Sequence, residues 1–93
     1  MESEEAKELA YRYLANKPWW SDEKYAIVHV ERMSQTWVVV YNSRMYAQTG
    51  EARHGLAGNG PILVNEDGRI FGAATARPIE DYVTEFESNS TQG

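Results

Sequence analysis

Cysteine is absent from this chain. Disulfides, thiolate metal sites and cysteine nucleophiles are thereby excluded, and the composition is compatible with a reducing compartment. Histidine is scarce: His29 and His54 are the only two, too few for a histidine-rich metal centre, and no metal-ligand spacing occurs. Basic residues are outnumbered, nine lysines and arginines against fourteen aspartates and glutamates, for a formal net charge of −5. Binding to phosphate needs clustered cations, so nucleic acid and anionic membranes are poor partners. The acidic balance serves solubility and equally suits a basic protein partner. No apolar run approaches the ~20 residues that span a bilayer. The first residues, Met1-Glu2-Ser3-Glu4-Glu5, do not read as a signal peptide, so a cytoplasmic location is expected. Ninety-three residues suffice for one domain with a modest core.

What the chain does contain is organised around Leu56-Ala57-Gly58-Asn59-Gly60-Pro61-Ile62-Leu63-Val64. Gly58, Asn59 and Gly60 are the residue types that enter positive φ most cheaply. Pro61 fixes its own φ and turns Gly60 away from helix. The loop thus switches sharply into an apolar run with no polar face, the pattern of a strand covered on both sides.

The first helix is expected to start at Ser3 as N-cap, with Glu4 and Glu5 at the positive end of the dipole. Ala6, Leu9, Ala10, Tyr13 and Leu14 form its apolar stripe, and Pro18 stops it. Residues 25–32 read as a strand with Ala26, Val28 and Val30 on one face and Tyr25, Ile27, His29 and Glu31 on the other. Met33-Ser34-Gln35 is a hairpin loop without glycine, and residues 36–41 form the central strand, apolar on both faces. Residues 45–57 then read as a long loop pinned by Met45, Tyr46 and Leu56. Asp67-Gly68 marks a tight turn and residues 69–74 a fourth strand. Pro78 opens the last helix, whose stripe is Ile79, Tyr82, Val83 and Phe86. The expected fold is α+β: a mostly antiparallel four-stranded sheet with an N-terminal and a C-terminal helix, in the order α-β-β-loop-β-β-α. Residues 1–87 form the single domain, and 88–93 a disordered polar tail.

Chemistry finds little support. Neither histidine stands in a nucleophile motif, and Gly58-Asn59-Gly60 does not precede a helix and so makes a poor phosphate cradle. The chain reads as no enzyme and calls for no cofactor or metal. Two regions remain as binding candidates. Trp19 and Trp20, beside Asp22 and Glu23, cannot easily both enter one core; either one plugs the sheet's end while the other lies along the surface, or they anchor a partner. Tyr46, Glu51, Arg53 and His54 gather in the long loop, either as a site or as solvated side chains.

Several of these residues recur as a set. Trp37, Tyr41-Asn42-Ser43, Tyr46 and Thr49-Gly50 are followed by the Leu56–Val64 run, Gly68, Gly72 and Ala76-Arg77-Pro78-Ile79-Glu80-Asp81-Tyr82. In this set the chain resembles the immunity protein 35 family, also called the YrhB-like domain, over about half its length. The resemblance implies a small bacterial cytoplasmic protein that binds and blocks a cognate toxin by protein–protein contact, as a monomer or homodimer. One relative is described as chaperone-like, so a small chaperone-like or peptide-binding domain is the alternative. The shared residues read as fold determinants, which leaves Trp19, Trp20, Asp22, Glu23, Tyr46, Glu51, Arg53 and His54 as the partner-binding candidates.

Overall fold

A computed structural model describes residues 1–56 and 58–92, the last four without their side chains; Ala57 of the long loop and Gly93 of the expected tail lie outside the described residues. Helix α1 covers Ser3–Ala15, followed by strands β1 (Tyr25–Met33) and β2 (Thr36–Ser43), a short helix α2 (Arg44–Thr49), strands β3 (Ile62–Asn65) and β4 (Ile70–Gly72), and helix α3 (Ile79–Gln92). The strands form one antiparallel sheet in the order β1-β2-β3-β4. This is the α+β arrangement that the hydrophobic patterning predicts.

The apolar run Ile62-Leu63-Val64 explains the layering. Alternate side chains of a strand point to opposite faces, and here both faces are closed. On one face Val39, Tyr41, Ile62 and Val64 pack against Ala6, Ala10 and Leu14 of α1. On the other, Val38 and Leu63 pack against Tyr82, Val83 and Phe86 of α3. Every residue of β3 is buried. The two stripes expected of the terminal helices therefore cover opposite faces of the same central pair of strands.

Local details depart from the periodic reading in four places. Glu2, rather than Ser3, stands at the N-cap of α1, and it makes no side-chain capping bond. A bulge in β1 lies between Ile27 and His29. One extra residue reverses the alternation beyond it, so Ile27 and Val30 share the α1 face while Val28 stands 41% exposed. The expected loop of residues 45–57 holds α2 and a 3₁₀ turn at Ala52–His54. Ser43 caps α2 by accepting from the Tyr46 amide, and Gly50 ends it at φ 70°, a left-handed C-cap suited to glycine. Met45 and Leu56 do not pin this segment, being 50% and 36% exposed. Finally, α3 runs to Gln92, so the backbone of residues 88–92 is helical where an unstructured tail was expected. The helix has no proline or glycine in this stretch to stop it.

Two contacts hold the ends of the sheet. The Ser34-Gln35 turn needs φ 61° at Ser34, an uncommon conformation for a residue with a side chain. Glu87 of α3 secures it: Ser34 Oγ, the Gln35 amide and Thr36 Oγ1 donate to its carboxylate at 2.9, 2.8 and 2.6 Å. Burial pushes the Glu87 carboxyl up, but the donors Thr36, Ser34 and Gln35 outweigh it and hold the pKa below its ordinary value. At the other end Gly60 lies against the backbone of Ala73, where a Cβ would come 1.7 Å from the carbonyl oxygen.

Gly60→Ala is expected to cost roughly 3 kcal/mol, the upper part of the range for overpacking, whereas Gly58→Ala, at φ 79° with open space around it, should cost about 1 kcal/mol through backbone strain alone. Urea unfolding of both variants distinguishes steric from conformational demand; equal costs would refute the distinction. Because the folded pKa of Glu87 is depressed, its stabilisation is complete above the unfolded value of about 4.3 and is lost as pH falls through the folded value. The stability gap between wild type and Glu87→Gln should therefore narrow from pH 7 to pH 3, and a gap independent of pH would exclude the ionised carboxylate as the source.

Candidate functional site: an aromatic sheet end beside an acidic cleft

Pro18 breaks the chain after α1, and the connection of residues 19–24 carries both tryptophans across the end of the sheet. Their rings meet tyrosines from three elements. Trp20 stacks on Tyr25 of β1 (centroids 5.4 Å apart, planes at 30°) and takes Tyr11 of α1 edge-on at 6.2 Å. Trp19 stacks on Tyr41 of β2 at 5.8 Å and 29°. Such pairs contribute about 0.5–1.5 kcal/mol each beyond the area they bury. Trp20 packs against the α1-side core, whereas Trp19 remains 46% exposed. Trp20 thus closes the sheet's end, and Trp19 lies half open along the surface.

Asp22 organises the polar side of this cluster. Tyr11 Oη donates to its two carboxylate oxygens at 2.9 and 2.8 Å, and Trp20 Nε1 donates at 2.9 Å. These bonds, from Trp20 and then Tyr11, hold the Asp22 pKa below its ordinary value, and the nearby Arg44 charge acts in the same direction. Reciprocally, the bond to Asp22 raises the Tyr11 pKa, aided by desolvation and by the carboxylate's charge. Arg44 seals the corner by donating to the backbone carbonyls of Asp22 at 2.6 Å and Tyr25 at 3.2 Å.

Beside the cluster, between α1 and the edge of β1, lies an open cleft of about 450 Å³ whose walls include Glu4, Glu8, Tyr11, Trp20, Asp22 and Tyr25. On the far side of Tyr25 a shallower hollow of about 230 Å³ is bounded by Trp19, Tyr41, Leu56 and Asn59. Asn59, from the organising loop, donates to the Tyr41 carbonyl at 2.7 Å and so ties that loop to the aromatic end.

The eight candidate residues divide into two groups. Trp19, Trp20 and Asp22 converge here, with exposed Glu23 beside them. Glu51 and Arg53 pair with each other at 2.7 Å on the 3₁₀ turn. His54 offers its backbone carbonyl to Ser43 Oγ at 2.5 Å, and the Tyr46 ring lies near Gly55. Glu51, Arg53 and His54 therefore do not assemble a reactive triad. His29 is an exposed strand residue whose Nε2 lies 3.1 Å from Glu31. Among the described residues no group of acidic and histidine side chains is disposed to hold a metal ion, and no helix is long and apolar enough to cross a membrane. Sequence reasoning missed Tyr11, Tyr25, Tyr41 and Arg44. Tyr11 was the most accessible of these, since it shares the i, i+3, i+4, i+7 face of Glu4, Lys7 and Glu8.

This coupling has a spectroscopic consequence. Tyr11 should ionise at higher pH than an ordinary tyrosine, and Asp22→Asn should bring its titration back down. Ring resonances followed by NMR with ring-labelled tyrosine provide the measurement, and a Tyr11 titration indifferent to Asp22→Asn would contradict the assigned hydrogen bond.

The profile of the family described as Immunity protein 35 matches residues 4–85. A protein of Escherichia coli (strain K12), described as "Uncharacterized protein YrhB", is 37% identical over 57 residues, which span 60% of this chain and 61% of that protein. The match thus extends over less than two thirds of that relative's length. No solved structure matches. With the family profile running from α1 through the first half of α3, the chain belongs to the immunity protein 35 family.

Proposed function

We propose that this protein is a bacterial immunity protein, which binds a cognate toxin in the cytoplasm and neutralises it by non-covalent contact, without catalysis or cofactor. Membership of the immunity protein 35 family is the observation that carries the reading. The aromatic end of the sheet adds a physical basis for it. Trp19 is a large ring held in place by Tyr25 and Tyr41 yet half open to solvent, which is how binding hot spots are built: a rigid aromatic whose burial by a partner costs little ordering. A net charge of −5 would steer association toward a basic toxin surface and disfavour acidic partners. Glu51, Arg53 and Glu23 are exposed at the periphery, where charges tune encounter more than final affinity.

A chaperone-like activity is the competing reading, favoured by the apolar side chains that stand open on separate parts of the surface, Val28, Met45, Leu56 and Phe71. The two differ in stoichiometry and selectivity: a toxin inhibitor forms one tight complex, a chaperone many weak ones.

The test begins with purification from the native host. A single stoichiometric partner that arrests growth when expressed alone, with growth restored by co-expressing this chain, is the expected result. Trp19→Ala should weaken that complex at least tenfold while the chain stays folded, because Trp20 rather than Trp19 belongs to the core; loss of the Trp19 ring contacts should lower Tm by about 5–10 °C. Weak protection of many unrelated unfolding proteins, with no toxic partner, would decide for the chaperone reading.

A further inference from the structure

Strand β1 is nine residues long and lies at the edge of the sheet, so one side of its backbone has no strand beside it. The Arg44 amide bonds to the Lys24 carbonyl at 2.8 Å, and the alternation of an antiparallel ladder then turns the backbone of Tyr25 and Ile27 outward. At Tyr25 those groups are already used: its amide donates to Ser21 O at 2.9 Å, and its carbonyl accepts from Arg44 at 3.2 Å. At Ile27, and beyond the bulge at Val30 and Arg32, they face outward with no backbone partner among the described residues. A groove follows this edge, about 220 Å³ of it between α1 and residues 27–30. It continues past Glu4, Lys7 and Ile27 into the cleft of about 450 Å³ beside Asp22.

Charge distinguishes between possible occupants. In the larger cleft Glu8 pairs with Arg12 at 3.0 Å, and the Arg44 guanidinium is engaged by backbone carbonyls. Both arginines keep their charge, so the lining sets three carboxylates, Glu4, Glu8 and Asp22, against the ammonium of Lys7 and the guanidinium of Arg44, a slight acidic excess. The aromatic walls Tyr11, Trp20 and Tyr25 favour a cation over an anion as well. A second copy of this chain would bring the same acidic rim, on a molecule of net charge −5, against itself. The bulge adds local twist, so a flat pairing along all of β1 is disfavoured and a short segment is preferred. We propose that the β1 edge accepts a short extended segment of a partner protein as a fifth strand, with a lysine or arginine of that segment entering the acidic, aromatic cleft. The proposal rests on the toxin-binding reading and names the surface through which the toxin is held. Backbone pairing would supply affinity and the cleft selectivity, the division of labour of strand addition.

A seven-residue peptide alternating valine and arginine is the probe, with hydrogen exchange followed amide by amide and affinity measured by fluorescence anisotropy. Exchange at Ile27, Val30 and Arg32 should slow at least tenfold on binding. Val28→Lys and Glu4→Lys, both exposed positions, should each weaken binding at least tenfold, and the peptide with glutamate in place of arginine should not bind. Unaltered β1 exchange, equal binding of the glutamate peptide, or a concentration-dependent dimer dissolved by Val28→Lys would overturn the proposal, the last by assigning the edge to a second copy. In the growth assay, full protection by both variants would overturn the edge assignment while leaving toxin neutralisation intact. Failure of the wild-type chain to neutralise any partner would instead remove the immunity reading itself.

Discussion

Burial of the β2–β3 pair on both faces is the constraint on which the rest of the molecule depends. Val39, Ile62 and Val64 look toward α1, and Val38 and Leu63 toward α3. A strand without a polar face is stable only between two layers, and in 93 residues one helix per face is the economical solution. The chain therefore begins with a helix for one face and ends with a helix for the other. Sequence-distant segments are locked together in consequence: residues 3–15 and 79–86 belong to separate cores on opposite faces, yet each packs on the same four-residue strand.

Two secondary devices transmit that constraint to the ends. Glu87 reaches from α3 to the β1–β2 turn and takes three donors, which satisfies polar groups that α3 would otherwise help to bury. Gly60 permits the entry to β3 to run against the Ala73 backbone. At the opposite end from the hairpin the aromatic cluster closes the sheet, with Asp22 satisfying Tyr11 and Trp20 at once. The tryptophans are thus structural and presentational together, since the stacking that orders Trp19 also leaves it displayed.

How much of this the sequence disclosed follows from the range of each interaction. Helical stripes, the apolar central strands and the Asp67-Gly68 turn are local patterns, and α1, β2, β3 and α3 could be read from them. The bulge at Val28 could not, because one inserted residue leaves Tyr25–Met33 equally β-rich while reversing its faces. Helix α2 is six residues long, too short for periodicity to register; its signals are the Ser43 cap and Gly50, which resemble ordinary loop residues. The candidate site was half visible: Trp19, Trp20 and Asp22 are close in sequence, while Tyr11, Tyr25, Tyr41 and Arg44 reach them only through the fold. Glu51, Arg53 and His54 were grouped by proximity in sequence, and the 3₁₀ turn separates their uses.

The same reasoning separates positions tied to the core from positions that are not. Gly60, Pro61, Ile62-Leu63-Val64 and the α3 stripe are tied to the two-sided core, where a change of a few atoms is felt as strain or cavity. The 19–24 connection, the α1 face bearing Glu4, Lys7 and Glu8, and the outer edge of β1 carry no such burden, apart from Trp20 and Asp22. Substitution there alters charge and shape without touching the central strands. A fold whose stability resides in one buried strand pair leaves its longest edge and its aromatic end open to adaptation, and both lie on the same side of the molecule, where Tyr25 joins them.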